Sequence, residues 1–185
     1  EIAREAYELG YDARDWKVKL AQEDLKSSGL VRKKVVPILY RPFDVRYTYY
    51  TGRSRGFHCM PRHAVMRHMF LENLGLMTCR QLSQSAWSHA MVTERITDDC
   101  MVSNRTRERG YLLPLYLYPE ADLLTHVAKQ RDKKINLNPA LLQTLRETHK
   151  GHPSPEDIFY YVYAVLYSPS YRKKYAEFLK SDFPR

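Results

Sequence analysis

Between Tyr40 and Cys59 the chain reads YRPFDVRYTYYTGRSRGFHC, where arginine and aromatic side chains interleave around an RSR tip set between Gly52 and Gly56. A guanidinium binds phosphate oxygens or a guanine edge through two parallel hydrogen bonds, and a tyrosine stacks on a base or donates to a phosphate. From Arg32 to Arg67 there are nine basic residues and a single acid, Asp44, which is a net +8 out of the formal +9 carried by all 185 residues. Charge concentrated in this way makes a local positive field suited to a polyphosphate partner.

Within this window the candidate contacts are Lys33, Lys34, Arg41, Arg46, Tyr50, Arg53, Arg55, His58, Arg62 and Arg67. Period-two alternation predicts a strand that packs Val45, Tyr47 and Tyr49 and presents Arg46, Thr48 and Tyr50. Residue by residue, a Tyr-rich hairpin covered by solvated arginines fits equally well. Taken together, the charge favours nucleic acid. Downstream, Arg80, Gln81, Gln84, Ser85 and His89 mark one polar loop, and Asn104, Arg105 and Arg107 a second, from Ser103 to Gly110. Such side chains between strands read base edges, and they are also ordinary loop composition.

Other chemistries find less support. His58, Cys59, His63, His68, Cys79 and Cys100 are metal-ligand types, but their spacing matches no zinc finger or knuckle and no CxxC occurs. A Cys–His nucleophile is equally unsupported, since unpaired cysteines are commonly inert core residues. Glu94, Asp98 and Asp99 suggest a nuclease cluster without its closely spaced lysine, and an exposed turn accounts for them. No glycine-rich phosphate loop is present. The chain is expected to bind and not to catalyse, with no metal site.

These side chains need a scaffold, and the expected fold class is α+β: a mixed or antiparallel sheet with the basic Tyr/Arg hairpin, an N-terminal helix and about three C-terminal helices. A helix is predicted over 12–28, capped by Asp12 and ended by Gly29, with Trp16, Leu20 and Leu25 inward and Lys17, Lys19, Glu23 and Asp24 in water. Strands are expected at VVPILY, with an edge or bulge at Pro37, at 74–81, at 89–95, near 100–102, and in YLLPLYLYP. Pro61 to Leu71 reads as a helix. Asn138-Pro139, Ser154-Pro155 and Ser168-Pro169 each start a helix, and Ile158, Val162, Val165 and Leu166 form a core-facing stripe. The division expected is 1–30 as a lead-in or linker, 31–119 as the recognition core and 120–185 as its helical part. Hydrophobic residues make up 44% of the sequence, enough for a folded core, and three scattered cysteines suggest reduced, intracellular thiols. No apolar run approaches membrane-span length, so no membrane partner and a cytoplasmic location are expected. The opening in helical sequence without methionine reads as an excised piece of something longer.

VVPILYRPFDVRYTYYTGRSRGFHCMPRHAVMRHM, ENLGLMTCRQ, GYLLPLYLYP and SPEDIFYYVYAVLYSPSYRKKYAEFLKSDFPR closely resemble, in that order, the C-terminal part of type ISP restriction-modification enzymes. Those are single chains joining a nuclease, a translocating ATPase, an adenine-specific DNA methyltransferase and a target-recognition domain. The YRPFD-R-YY block also occurs more loosely in other fused adenine methyltransferases, and the terminal block narrows the family. The resemblance implies a bacterial target-recognition domain that reads a duplex site for methylation and cleavage done elsewhere in the polypeptide. The NPPY-type tetrapeptide and glycine-rich cofactor motif of the methyltransferase are absent here. S-adenosylmethionine, ATP and magnesium are therefore expected for the other domains, and no cofactor for this chain. On this reading the basic window grips phosphates, the two loops discriminate bases, and the C-terminal helices brace the sheet or dock on the adjacent methyltransferase. Two other readings stay open: an RNA or single-strand binding module, and a docking domain for an acidic protein.

Overall fold

A computed structural model describes residues 2–13, 15–83, 86–101, 108–120, 132–149 and 151–184. Gln84, Ser85, Asn104, Arg105 and Arg107 lie outside the described residues.

The chain starts with α1 (Ile2–Ala6) and α2 (Val18–Ser28), and Gly29 closes α2 at φ +66°. The start of α2 falls later than expected. Asp12 still caps it, from six residues upstream: its carboxylate accepts the Val18 N–H at 3.1 Å. The buried face of α2 is Val18, Ala21 and Asp24, not the predicted Trp16, Leu20 and Leu25 stripe.

β1 (Val35–Arg41) and β2 (Asp44–Tyr49) form an antiparallel hairpin, and β5 (Ile96–Thr97) joins β1 in parallel to complete a mixed sheet. The register shifts between Leu39 and Arg41, so the bulge sits at the tip and not at Pro37, which pairs with Tyr47. Pro61 to Leu71 is only in part helical, as α3 (His63–Met66) followed by a 3-10 turn from Arg67 to Phe70. A second, antiparallel sheet has the order β4 (Ala90–Thr93), β3 (Gly75–Cys79), β6 (Gly110–Pro114). The strand expected near 100–102 does not form at Cys100 and Met101. β5 takes its place upstream, and the chain then turns so that Met101 is fully buried. YLLPLYLYP divides at Leu115: β6 serves the second sheet, while β7 (Tyr116–Leu117) pairs with β8 (Lys134–Ile135).

Alternation along β3 and β4 builds the layers. Met77 and Met91 point to the hairpin side, packing with Tyr50, Met69, Ile96 and Leu112. Leu76 and Val92 point the other way, toward Leu115, Tyr116, Tyr118 and Phe159. The second sheet is thus the middle layer between the hairpin and the C-terminal helices α4 (Pro139–Thr148), α5 (Pro155–Tyr167), α6 (Pro169–Lys174) and α7 (Ala176–Ser181). The three Asn/Ser-Pro starts behave as expected. Asn138 accepts from Ala140, Ser168 from Tyr171, and Ser154 forms a capping box with Asp157. The buried side of α5 is Ile158, Phe159 and Leu166, whereas Val162 is 39% exposed. Ile158 and Leu166 of the expected stripe are thus buried, and Phe159, packed with Leu115, Tyr116 and Tyr118, is buried in place of Val162. Among the described residues no helix is long and apolar enough to cross a membrane.

Candidate nucleic-acid interface

The alternation predicted for the hairpin holds only in part: Arg46 is outward and Tyr49 buried as expected, whereas Tyr50 is inward and Val45 and Tyr47 are outward. Val36 and Ile38 pack against the core under the middle sheet, and Tyr50 joins them at 4% exposure. The Tyr50 hydroxyl donates to the Pro61 carbonyl at 2.7 Å, and burial raises its pKa. Outward instead go Val35, Val45 and Tyr47, the last 76% exposed. Both faces of this strand carry aromatics and β-branched residues, so alternation gave the period without the side.

The RSR tip is held from below by a buried acid. Asp24, expected in water, accepts the Thr51 hydroxyl at 2.7 Å and the Phe57 N–H at 2.8 Å through the same carboxylate oxygen. The Trp16 indole N–H donates to the Phe57 carbonyl at 3.0 Å, a second tie from the N-terminal segment. The two flanking glycines are set by space: a Cβ at Gly56 would lie 2.2 Å from the Asp24 carboxylate, and one at Gly52 2.6 Å from the His63 ring. Arg53 and Arg55 project from this clamped loop, exposed, with Arg53 also reaching Ser27 Oγ at 3.2 Å. Lys33 and Arg62 are also exposed.

Other cations of the window serve as braces. Lys34 Nζ donates to the Ser28 carbonyl at 2.9 Å, and Arg67 Nη1 to the Tyr118 carbonyl at 2.8 Å. Arg41 pairs with Asp98 at 2.7 Å. His58 is half-buried, 2.9 Å from Thr48 Oγ1, and desolvation lowers its pKa against the opposing fields of Asp24 and Asp98. Arg46 remains outward, its side chain 59% exposed, bonded to Asp44 at 2.9 Å.

Both expected reading loops leave the same end of the middle sheet, since Thr78 pairs with Ala90 and Cys79 with Gly110. Glu108, buried at 7% exposure, joins them: its carboxylate accepts the Ser83 N–H at 3.0 Å and the Ser83 hydroxyl at 3.2 Å. His89 turns inward toward Glu108, 3.9 Å away, and desolvation lowers its pKa. Arg80 and Gln81 are exposed, Arg80 sharing Asp182 at 3.3 Å. The hairpin tip reaches this same end. Asp98 N–H donates to the Leu39 carbonyl at 3.1 Å, and Gly110 N–H to the Asp99 carbonyl at 2.9 Å.

Sequence reasoning missed Asp24, Glu108 and Phe43. The two acids read as solvated charge, and only their tertiary partners reveal them. The exposed phenylalanine within RPFD was a visible signal. The three cysteines are unpaired thiols, and burial pushes that of Cys79 up to about 12, far from a nucleophile's range. Among the described residues no three His, Cys, Asp or Glu side chains converge on a metal-sized site.

A clamped basic loop thus stands at one end of the hairpin, and the strand ends that bear the polar loops at the other. The chain belongs to the Type ISP C-terminal specificity domain family, matched over residues 1–185. Its fold is similar to part of a cryo-EM structure of a DrdV–DNA complex, with TM-score 0.63 and 28% identity over 85% of this chain and 14% of that one. It is also similar in fold to a nuclease-deletion mutant of the Type ISP restriction-modification enzyme LlaGI in complex with a DNA substrate mimic. There the TM-score is 0.58 at 22% identity, over 85% of this chain and 12% of that one. No curated protein is significantly similar in sequence.

Proposed function

We propose that this chain is the DNA target-recognition domain of a restriction-modification enzyme. It holds a specific duplex site while adenine methylation and cleavage are performed by other domains of the polypeptide, in bacterial cytoplasm. The observation that carries the reading is the clamped loop that holds Arg53 and Arg55 out into solvent, with Lys33 and Arg62 exposed as well. Those four and Arg46 are assigned to phosphates. Arg80, Gln81, Gln84, Ser85, Asn104, Arg105 and Arg107, on the loops that Glu108 ties together, are assigned to bases. Lys34, Arg41, Tyr50, His58, Arg67 and His89 are assigned to the scaffold. Recognition needs no cofactor, and S-adenosylmethionine, ATP and magnesium chemistry is assigned to the domains beyond these residues. The C-terminal helices then face the adjacent methyltransferase domain or brace the sheet.

A titration against duplex DNA tests this. The isolated chain should bind with Kd around ~10⁻⁴–10⁻⁶ M at physiological salt, with a log–log salt slope of about −4 to −5 for roughly five phosphates neutralised. Replacing Arg53 and Arg55 together by alanine should flatten that slope by about 2. Competition by single-stranded RNA or an acidic polypeptide that outdoes duplex DNA would move the function to one of those partners. Salt-independent binding would remove the phosphate assignment.

A further inference from the structure

We infer that Phe43 is a wedge that inserts between neighbouring base pairs of the bound duplex, a role that rests on the DNA-binding reading above. The fold itself makes no use of this ring. Phe43 is fully exposed, at the end of a two-residue turn between the paired Arg41 and Asp44. Its φ is +64°, where glycine or asparagine is favoured and a bulky residue is strained. Backbone conformation at this position calls for glycine, and no packing calls for phenylalanine. What remains is a ring aimed at something outside the chain.

The support under that ring is held by stacked and ion-paired arginines. The guanidinium groups of Arg41 and Arg46 lie 3.9 and 4.1 Å from the centre of the Tyr40 ring. Arg41 is also fixed to Asp98, and Arg46 holds Asp44, the one acid of the basic window. An aromatic tip beside the outward Arg46 suits a stacked duplex: the guanidinium meets a phosphate while the ring enters between bases. The hairpin end also meets the end of the middle sheet that bears the reading loops, through the Asp98–Leu39 and Gly110–Asp99 hydrogen bonds. A wedge beside the reading loops would open the stack where bases are being tested. Chemistry on a base in a duplex requires that base to leave the stack, and a ring filling the gap makes the opened state last.

The test uses the 185-residue chain and its Phe43→Ala variant, with circular dichroism confirming that both are folded. Each is titrated in low salt with a labelled 20-base-pair duplex of arbitrary sequence, either fully paired or carrying one central abasic site. Wild type should prefer the abasic duplex by about tenfold, because the unstacking cost is already met there. Phe43→Ala should lose that preference and bind both duplexes alike. Equal wild-type affinities, or a preference that survives in Phe43→Ala, would overturn the wedge while leaving DNA binding intact. That is also the result expected if the ring docks on another protein domain. Failure of wild type to bind either duplex would overturn both readings.

Discussion

One carboxylate oxygen of Asp24 accepts two hydrogen bonds, from Thr51 and Phe57, in a site 2% exposed. Removing it leaves two donors without a partner under the basic loop, and a buried unsatisfied group costs roughly 1–3 kcal/mol. Asp24→Ala should therefore lose about 2–3 kcal/mol of stability in urea denaturation. Gly56→Ala should lose a similar amount, because its methyl would collide with the same oxygen. An unchanged midpoint for both would mean that the loop is held some other way. Asp24 was unreadable in advance for a physical reason. An acid among lysines and glutamates on a surface helix looks solvated, and only the fold brings Thr51 and Phe57 to it.

Helix α5 shows which parts of an element are legible. Its start was written in Ser154-Pro155 with Asp157, because a cap is a local device. Its buried side was legible only in part: Ile158 and Leu166 are buried as read, but PEDIFYYVYAVLY is apolar or aromatic nearly all round, and packing chose Phe159 over Val162. Leu166, 4% exposed against Trp87 and Leu179, should cost about 2–4 kcal/mol when cut to alanine. Val162, which lines an open apolar hollow with Tyr161, Leu113 and Phe183, should tolerate aspartate for about 1 kcal/mol or less. Thermal melts of Leu166→Ala and Val162→Asp would check this order, and the reverse order would put Val162 back in the core-facing stripe. The hairpin taught the same lesson: period two was legible, and the choice of face lay in its register with the middle sheet.

For the molecule as a whole, acid is the expected weak point. His58, His63, His68 and His89 all have lowered pKa values, in each case chiefly from desolvation, with the Arg67 charge adding to it at His63 and His68. Each folded imidazole therefore holds a proton less readily than the unfolded chain, where histidine titrates near about 6.5. Their contribution to stability is complete above that pH and is lost as pH falls through the lower folded values. The melting temperature should drop between about pH 7 and pH 5, whereas a flat profile would count against four desolvated neutral imidazoles. At this scale the sequence was most informative. Fold class, the basic window and the two polar loops were all legible as composition and spacing. Their arrangement was not: clamped arginines at one end of the hairpin, and at the other, about 17 Å along the strand at ~3.3 Å per residue, the aromatic tip and the loops.

Glu108 sits at the return of one loop and its oxygen is spent on Ser83 in the other, so the two loops are not independent cassettes. A lineage that acquired a foreign version of one loop would inherit half of a latch. Diversification of such domains is accordingly expected to proceed by exchange of both segments together, with the acid and the serine travelling as a pair, and by drift at the loop crests between them.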